Sequence, residues 1–187
     1  MAKFLTETDF KVMAWKNGGG VTKELYRFPH DEDENLFYFR LSMAKIKASG
    51  PFSLFPNIDR TLLLLNGNGF KLHSPNSSIV LLDKSFSPIS FKGEEPIRCE
   101  LLDGECQDFN VMIDRRWGKT RVNCRLPGAS EKIVYQSQNQ ILLYIHQQNP
   151  QLIILSAGES YEFKATQEQW LIEVEVIPSN DESEHIG

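Results

Sequence analysis

Residues 36–46 alternate one by one: Phe37, Phe39, Leu41 and Met43 are interleaved with Tyr38, Arg40, Ser42 and Ala44. A two-residue period sends successive side chains to opposite faces, so this stretch predicts a strand whose odd-numbered face is core. Residues 62–65, Leu-Leu-Leu-Leu, form a continuous apolar run, as expected for a strand covered on both faces. Shorter runs predict further strands over 9–15, 21–28, 79–82, 97–102, 107–114, 133–136, 140–146, 151–155, 160–165 and 170–177. Gly50-Pro51, Asn66-Gly67-Asn68-Gly69, residues 92–96 and Asp103-Gly104 supply turns. Pro88 puts the extended segment 85–91 at a sheet edge, and residues 126–130 read as a connector between two halves. No stretch carries strong amphipathic-helix spacing. Many short strands divided by turns mean an all-β barrel or sandwich.

The chain of 187 residues is long enough for one large domain or two small lobes sharing a core. A net charge of -5 gives no general attraction to nucleic acid or to an anionic membrane. No apolar run approaches the ~20 residues that span a bilayer. The first residues, Met1-Ala-Lys-Phe-Leu-Thr-Glu7, lack the apolar core and cleavage site of a signal peptide. Cys99, Cys106 and Cys124 make an odd number with no pairing pattern, which fits reduced thiols in a cytoplasmic protein. The acidic run 30–35 reads as a solvated loop, and residues 179–187 as a disordered acidic tail.

Several stretches concentrate polar chemistry. Trp15-Lys16-Asn17-Gly18-Gly19-Gly20-Val21-Thr22 has neither the spacing of a dinucleotide fingerprint nor that of a P-loop. It is either a hairpin turn or a pocket rim where apolar, cationic and amide contacts meet. Asp59 and Arg60 stand side by side at the mouth of the 62–65 strand, as a surface ion pair or as a grip on a polar ligand. Arg40 and Ser42 share a strand face. If that face lines a barrel, Arg40 is a buried cation that needs an anion. In 107–114, Phe109, Val111 and Ile113 are the core set, so Asp108 and Asn110 point to solvent or into a cavity. Arg115 can add a second cation. The basic stretch 115–121 is short, sits in an acidic protein and comes with no RNA-binding motif.

The four histidines, His30, His73, His146 and His185, form no His-x-His or H-E-x-x-H pattern. His73 follows a strand end and can reach toward a pocket; His146 ends an apolar strand and suits a core or rim position. No Gly-x-Ser-x-Gly elbow and no evident Cys/His pair is present, and Cys99 and Cys106 read as core or turn thiols. No metal and no cofactor is expected.

In order, Trp15-Lys-Asn-Gly-Gly-Gly-Val-Thr22, Arg40-Leu-Ser42, Gly50-Pro-Phe-Ser-x-Phe-Pro-x-x-Asp-Arg60, Gly67-x-Gly69 and Asp108-x-Asn-Val-Met-x-x-Arg115 together resemble the HutD/Ves family. The resemblance implies an all-β bicupin: two β-barrels of the double-stranded β-helix (RmlC-like jelly roll) type in one chain. The first would lie mainly in 9–125 and the second mainly in 130–178. It implies a role in histidine utilisation through binding of a small carboxylate such as formate, formylglutamate or urocanate. The ligand-binding residues would be Trp15, Lys16, Asn17, Thr22, Arg40, Ser42, Asp59, Arg60, Asp108, Asn110 and Arg115. This chain has Ala14 where the family usually has Pro, and Asn57 where it usually has Gly.

Three functions are then in play. The first is a regulatory protein that binds a small acid, the arginines gripping the carboxylate and the two aspartates orienting them. The second is a metal-independent enzyme on a small acid, with Asp59 or Asp108 as general base. The third is a stress-related partner protein with a vestigial pocket, which would use an apolar patch that the sequence does not make obvious. Neither nucleic acid nor membrane is an expected partner, and pairing into a homodimer through sheet edges is an open option.

Overall fold

The two-residue period becomes seventeen strands among the described residues, 1–33 and 35–179, of the computed structural model, with a single 3₁₀ turn at Glu7–Asp9 and no α-helix. The chain begins with β1 (Lys3–Thr6). Ten strands follow: β2 (Lys11–Ala14), β3 (Gly20–Pro29), β4 (Phe37–Ile46), β5 (Gly50–Pro51), β6 (Ile58–Asn66), β7 (Phe70–His73), β8 (Ile79–Leu82), β9 (Ile89–Lys92), β10 (Arg98–Leu101) and β11 (Cys106–Asp114). The last six are β12 (Gly118–Arg125), β13 (Lys132–Gln136), β14 (Gln140–His146), β15 (Gln151–Leu155), β16 (Ser160–Lys164) and β17 (Trp170–Pro178).

The chain divides into two compact units, Lys11–Arg115 and Met1–Phe10 with the chain from Arg116 onward. The first holds a six-stranded antiparallel sheet in the order β2-β3-β4-β11-β6-β9 and a four-stranded sheet in the order β5-β10-β7-β8. Their shared core joins Ile46, Leu62 and Leu64 from the larger sheet to Phe70, Leu72, Leu82 and Cys99 from the smaller. The second unit holds a five-stranded sheet, β1-β15-β14-β17-β12, and the β13–β16 pair, packed on Leu143, Ile153, Tyr135, Phe163 and Leu171. Among the described residues each sheet ends in free edges and none closes on itself.

Phe37, Phe39, Leu41 and Met43 of β4 are buried, with Phe39 and Leu41 at 1% and 0% exposure. Leu62–Leu65 is buried on both faces, and Pro88 does precede an edge strand, β9. Among the strands that escape the sequence reading, two join the second unit. Residues 118–125 carry polar and apolar side chains in the alternation that a half-buried strand needs, yet their charge disguises it. They form β12, which pairs with β17 from Gly118↔Pro178 to Arg125↔Leu171, so they belong with the second unit and not, as expected, with the first. The other is β1, which pairs with β15.

Asn57 adopts φ +64, the left-handed region that glycine enters most freely and asparagine tolerates. A turn-former is therefore required there, which is why glycine and asparagine can exchange. Of the expected tail, residues 180–187, with His185, lie outside the described residues. Ser179 itself is tied down, donating its N–H to Trp117 O and its hydroxyl to Arg116 O.

Candidate functional site

The centre of the six-stranded sheet is the β4–β11–β6 ladder. Its register sets Asp108 opposite Ala44, Asn110 opposite Ser42 and Met112 opposite Arg40 on one side. On the other side Met112 stands opposite Arg60. Directly opposed residues of an antiparallel pair share a face. One face of the sheet therefore gathers Arg40, Ser42, Arg60, Asp108, Asn110 and Met112. β3 extends it by placing Thr22 beside Ala44 and Glu24 beside Ser42. The face opens into a cavity of about 510 Å³, roofed by Pro51, Phe52, Ser53 and Phe55 and rimmed by Trp15, Lys16 and Asn17.

Nine of the eleven expected site residues line this cavity: Trp15, Lys16, Asn17, Thr22, Arg40, Ser42, Arg60, Asp108 and Asn110. Asp59 and Arg115 do not. Asp59 precedes Arg60 by one residue on β6, and that single step turns it to the opposite face. Arg115 lies just past the end of β11. Its Nε donates to Asp59 Oδ1 at 2.8 Å, and its Nη1 and Nη2 donate to the two Glu94 oxygens at 2.7 and 2.8 Å. These three residues form a surface ion-pair network that holds Glu94 well below the usual carboxylate range, chiefly through the Arg115 hydrogen bonds.

The rim is built by the glycine run. The indole N–H of Trp15 donates to Thr22 Oγ1 at 2.8 Å, locking the ring across the β2–β3 hairpin. A Cβ on Gly20 would stand 2.5 Å from Lys45 O and 3.0 Å from the indole, so only glycine lets ring and strand lie this close. The two readings of this stretch thus merge: it is a hairpin and a pocket rim at once.

The two arginines of the cavity are in different states. Arg40 is ion-paired, its Nε donating to Glu24 Oε2 at 2.6 Å. Arg60 is 5% exposed and packs against the rings of Phe91, Phe52 and Phe55 at 4.9, 5.1 and 5.6 Å. Its Nε is buried with no hydrogen-bond partner. Burial lowers its pKa to about 10, with Asp108 acting in the opposite direction. Asp108 is 3% exposed and accepts one hydrogen bond, from the Ala44 N–H at 2.9 Å. Burial pushes its carboxyl up to about 7, and Arg60 and the Ala44 N–H offset only part of that. Asn110 Oδ1 is likewise buried without a partner. Two polar atoms on one face, Arg60 Nε and Asn110 Oδ1, therefore lack the partners that buried polar groups normally have.

Glu24 and the three phenylalanines were missed by the sequence reading. Glu24 stands two residues from Thr22, on the same face of β3, and the period of two alone finds it. Phe52 and Phe55 are visible in the 50–60 motif as the aromatic pair preceding Arg60. Phe91 is brought to Arg60 only by the β6–β9 pairing.

His73 is on the far side of the four-stranded sheet, its Nε2 2.8 Å from Glu100 Oε2, and does not reach the cavity. Among the described residues no group of three or more His, Cys, Asp and Glu side chains is placed to hold a metal ion. Cys99 and Cys106 are buried, and burial pushes the Cys99 thiol up to about 12. Among the described residues no helix is long and apolar enough to cross a membrane.

The sequence profile of the HutD family matches residues 7–181. A Pseudomonas putida protein, described as an uncharacterized 21.2 kDa protein in the hutC 3′ region, is 35% identical over 147 residues, 76% of this chain and 72% of that one. Among solved structures, the conserved protein of unknown function PA5104 from Pseudomonas aeruginosa PAO1 superposes with a TM-score of 0.80 at 24% identity, covering 96% of this chain and all of that one. HutD from Pseudomonas fluorescens SBW25, in a structure described as a formate condition, gives 0.73 at 22% identity, covering 94% and 99%.

Proposed function

Starting from the fact that the chain belongs to the HutD family, we propose that it binds a small carboxylate metabolite in the Lys11–Arg115 unit and acts as a regulator of histidine utilisation in the cytoplasm. The observation that carries this reading is Arg60: a guanidinium 5% exposed, on a cavity wall, with its Nε unpartnered. Its three phenylalanine neighbours occupy ring faces and supply no acceptor. An arginine fork matches both oxygens of a carboxylate. Such a ligand would complete the hydrogen bonding that the protein leaves unfinished, and the buried Asn110 Oδ1 would receive a donor from the same molecule. Arg40, tied to Glu24, adds field without competing for the oxygens.

Formate, formylglutamate and urocanate are the acids to try. The family's name, the hutC neighbourhood of the P. putida relative and the formate condition of the P. fluorescens structure support that choice. We read the two units as the two cupin-like halves of a bicupin, of which the first carries the site. Calorimetric titration of the three acids into the protein tests the proposal. Saturable heat with at least one acid is expected from the wild type, and markedly weaker binding from Arg60→Met; no heat from any of them with the wild type overturns it.

A second reading rests on Asp108. A carboxyl raised to about 7 inside a cavity is poised to exchange a proton with a bound acid, as a general base must be. Asp59 drops out of that role, because it faces Arg115 outside the cavity. Turnover of the same acids, lost in Asp108→Asn, would favour this reading over simple binding.

A further inference from the structure

We infer that Glu24 sets the charge of the ligand this cavity accepts: by neutralising Arg40 it leaves Arg60 as the unmatched cation of the interior, so the site admits acids with a single carboxylate and turns away those with two. This selectivity rests on the carboxylate reading of the cavity and narrows it to monoanions.

Among the described residues, the ionisable side chains lining the cavity are Lys16, Arg40, Arg60 and Asp108. Lys16 is exposed at the rim, where water screens it and a pairing with an anion is worth little. Asp108 supplies no positive charge in either protonation state. Arg40 is paired with Glu24, and the two side chains are only 13% and 11% exposed. Arg27 stands opposite Arg40 on β3, yet it donates to Leu36 O at 2.9 Å, lies over the Phe37 ring and does not line the cavity. Arg60 remains, 5% exposed and with its Nε unpartnered.

The strand register puts Glu24 in this role. It stands opposite Ser42, and Arg40 lies two residues along β4 on the same face, so the pair is a diagonal contact across β3 and β4. Glu24 does not itself line the cavity and acts through Arg40. One carboxylate on Arg60 brings the charge of the interior to balance. A second carboxylate would have to leave water for a place where the other arginine is already matched by Glu24, and a buried charge without a partner is costly. An uncharged tail meets no such cost, since Ser42 and Asn110 on the same wall offer it hydrogen bonds. At about 510 Å³ the cavity has room for either kind of acid, so charge and not size separates them.

Calorimetric titrations at pH 6 test this by comparing formylglutamate, which has two carboxylates, with its side-chain amide formylglutamine, which has one, beside formate and urocanate. The wild type should bind at least one of the three single-carboxylate acids about tenfold or more tighter than formylglutamate. Glu24→Gln keeps an acceptor for Arg40 Nε and removes the charge, so the preference should shift about tenfold or more toward formylglutamate. A Glu24 that only held β3 in place would, when replaced, weaken all the acids together and leave their ratio alone. Glu24→Gln combined with Arg40→Gln is neutral again and should reject formylglutamate as the wild type does; a gain there would assign the effect to space and overturn the inference. A wild type that does not discriminate against formylglutamate would overturn it too, as would a preference that Glu24→Gln leaves unchanged. A wild type that binds none of the four acids overturns the carboxylate reading and this inference with it.

Discussion

Arg60 and Asp108 lie on the paired strands β6 and β11, line the same cavity and form no ion pair with each other. Each feels the other's charge: the arginine holds the aspartate's pKa down and the aspartate holds the arginine's up, but burial outweighs both effects. Two groups of opposite charge held apart on one cavity wall leave a gap in which a ligand's own charge can decide the balance.

The two cationic sites of the motif region should separate cleanly under mutation. Arg60→Met should weaken carboxylate binding by roughly 10–100-fold, the loss of about 1.5–3 kcal/mol for a hydrogen bond to a charged group. Its folding stability should hold or rise, because an unpaired buried cation is costly. Arg115→Ala, which breaks an ion pair at the surface, should leave binding unchanged and lower stability by no more than about 1 kcal/mol. Calorimetry and urea unfolding on the two variants check both halves.

Asp108 should make stability fall as pH rises. Its folded pKa of about 7 lies above the ordinary 3.8, so between those values the folded state holds a proton that the unfolded state has released. The stabilisation is complete below the unfolded value and is lost as pH climbs through about 7. Asp108→Asn, which keeps an acceptor for the Ala44 N–H, should therefore be more stable than the wild type at pH 8, by up to about 4 kcal/mol, and show little difference near pH 4. Thermal or urea unfolding of both proteins across that range measures it.

The same group links ligand binding to protons. An anion placed beside Asp108 disfavours its ionised form, so binding should take up a proton and weaken above about pH 7. Calorimetry in buffers of different ionisation enthalpy reads the proton uptake directly. It should vanish in Asp108→Asn; uptake that persists in the variant assigns the proton to another group.

At the rim, Gly20→Ala should cost about 1–3 kcal/mol, since the new methyl overlaps Lys45 O and the Trp15 ring. Gly18→Asn should be tolerated: φ there is +70 with nothing within 4 Å of a Cβ, and asparagine accepts that conformation. Intrinsic fluorescence, dominated by the tryptophans, would report the displaced indole in the first variant and not in the second.

Phe39→Ala should cost about 3–5 kcal/mol by urea unfolding, because the ring is 1% exposed at the centre of the β3–β4–β11 ladder. A loss below about 1 kcal/mol would mean that the odd face of β4 is not the packed one.

Much of this was readable without coordinates. Alternation in 36–46 and 107–114 assigned both the core residues and the residues facing away from them, because a strand's period is fixed by its backbone. That is why Arg40, Ser42, Asp108 and Asn110 could be picked out as one kind of residue. The same rule, applied to Asp59-Arg60, already says that the two point opposite ways. The motif resemblance grouped them nonetheless, and the structure separates them. The charged strand β12 was missed because alternation there is between exposed polar and half-buried residues, which a charged stretch conceals.

The sequence by itself determined which side chains share a face and where the chain must turn, since both follow from neighbours one and two residues apart. Only the tertiary structure decided that the Nε of Arg60 is unpartnered and that of Arg40 is not, that Phe91 closes the cage around Arg60, and that β8 is exposed where Leu62–Leu65, an equally apolar run, is buried. Those outcomes depend on which strand lies next to which. That pairing is set by contacts between residues far apart in the chain, for which the local pattern carries no label.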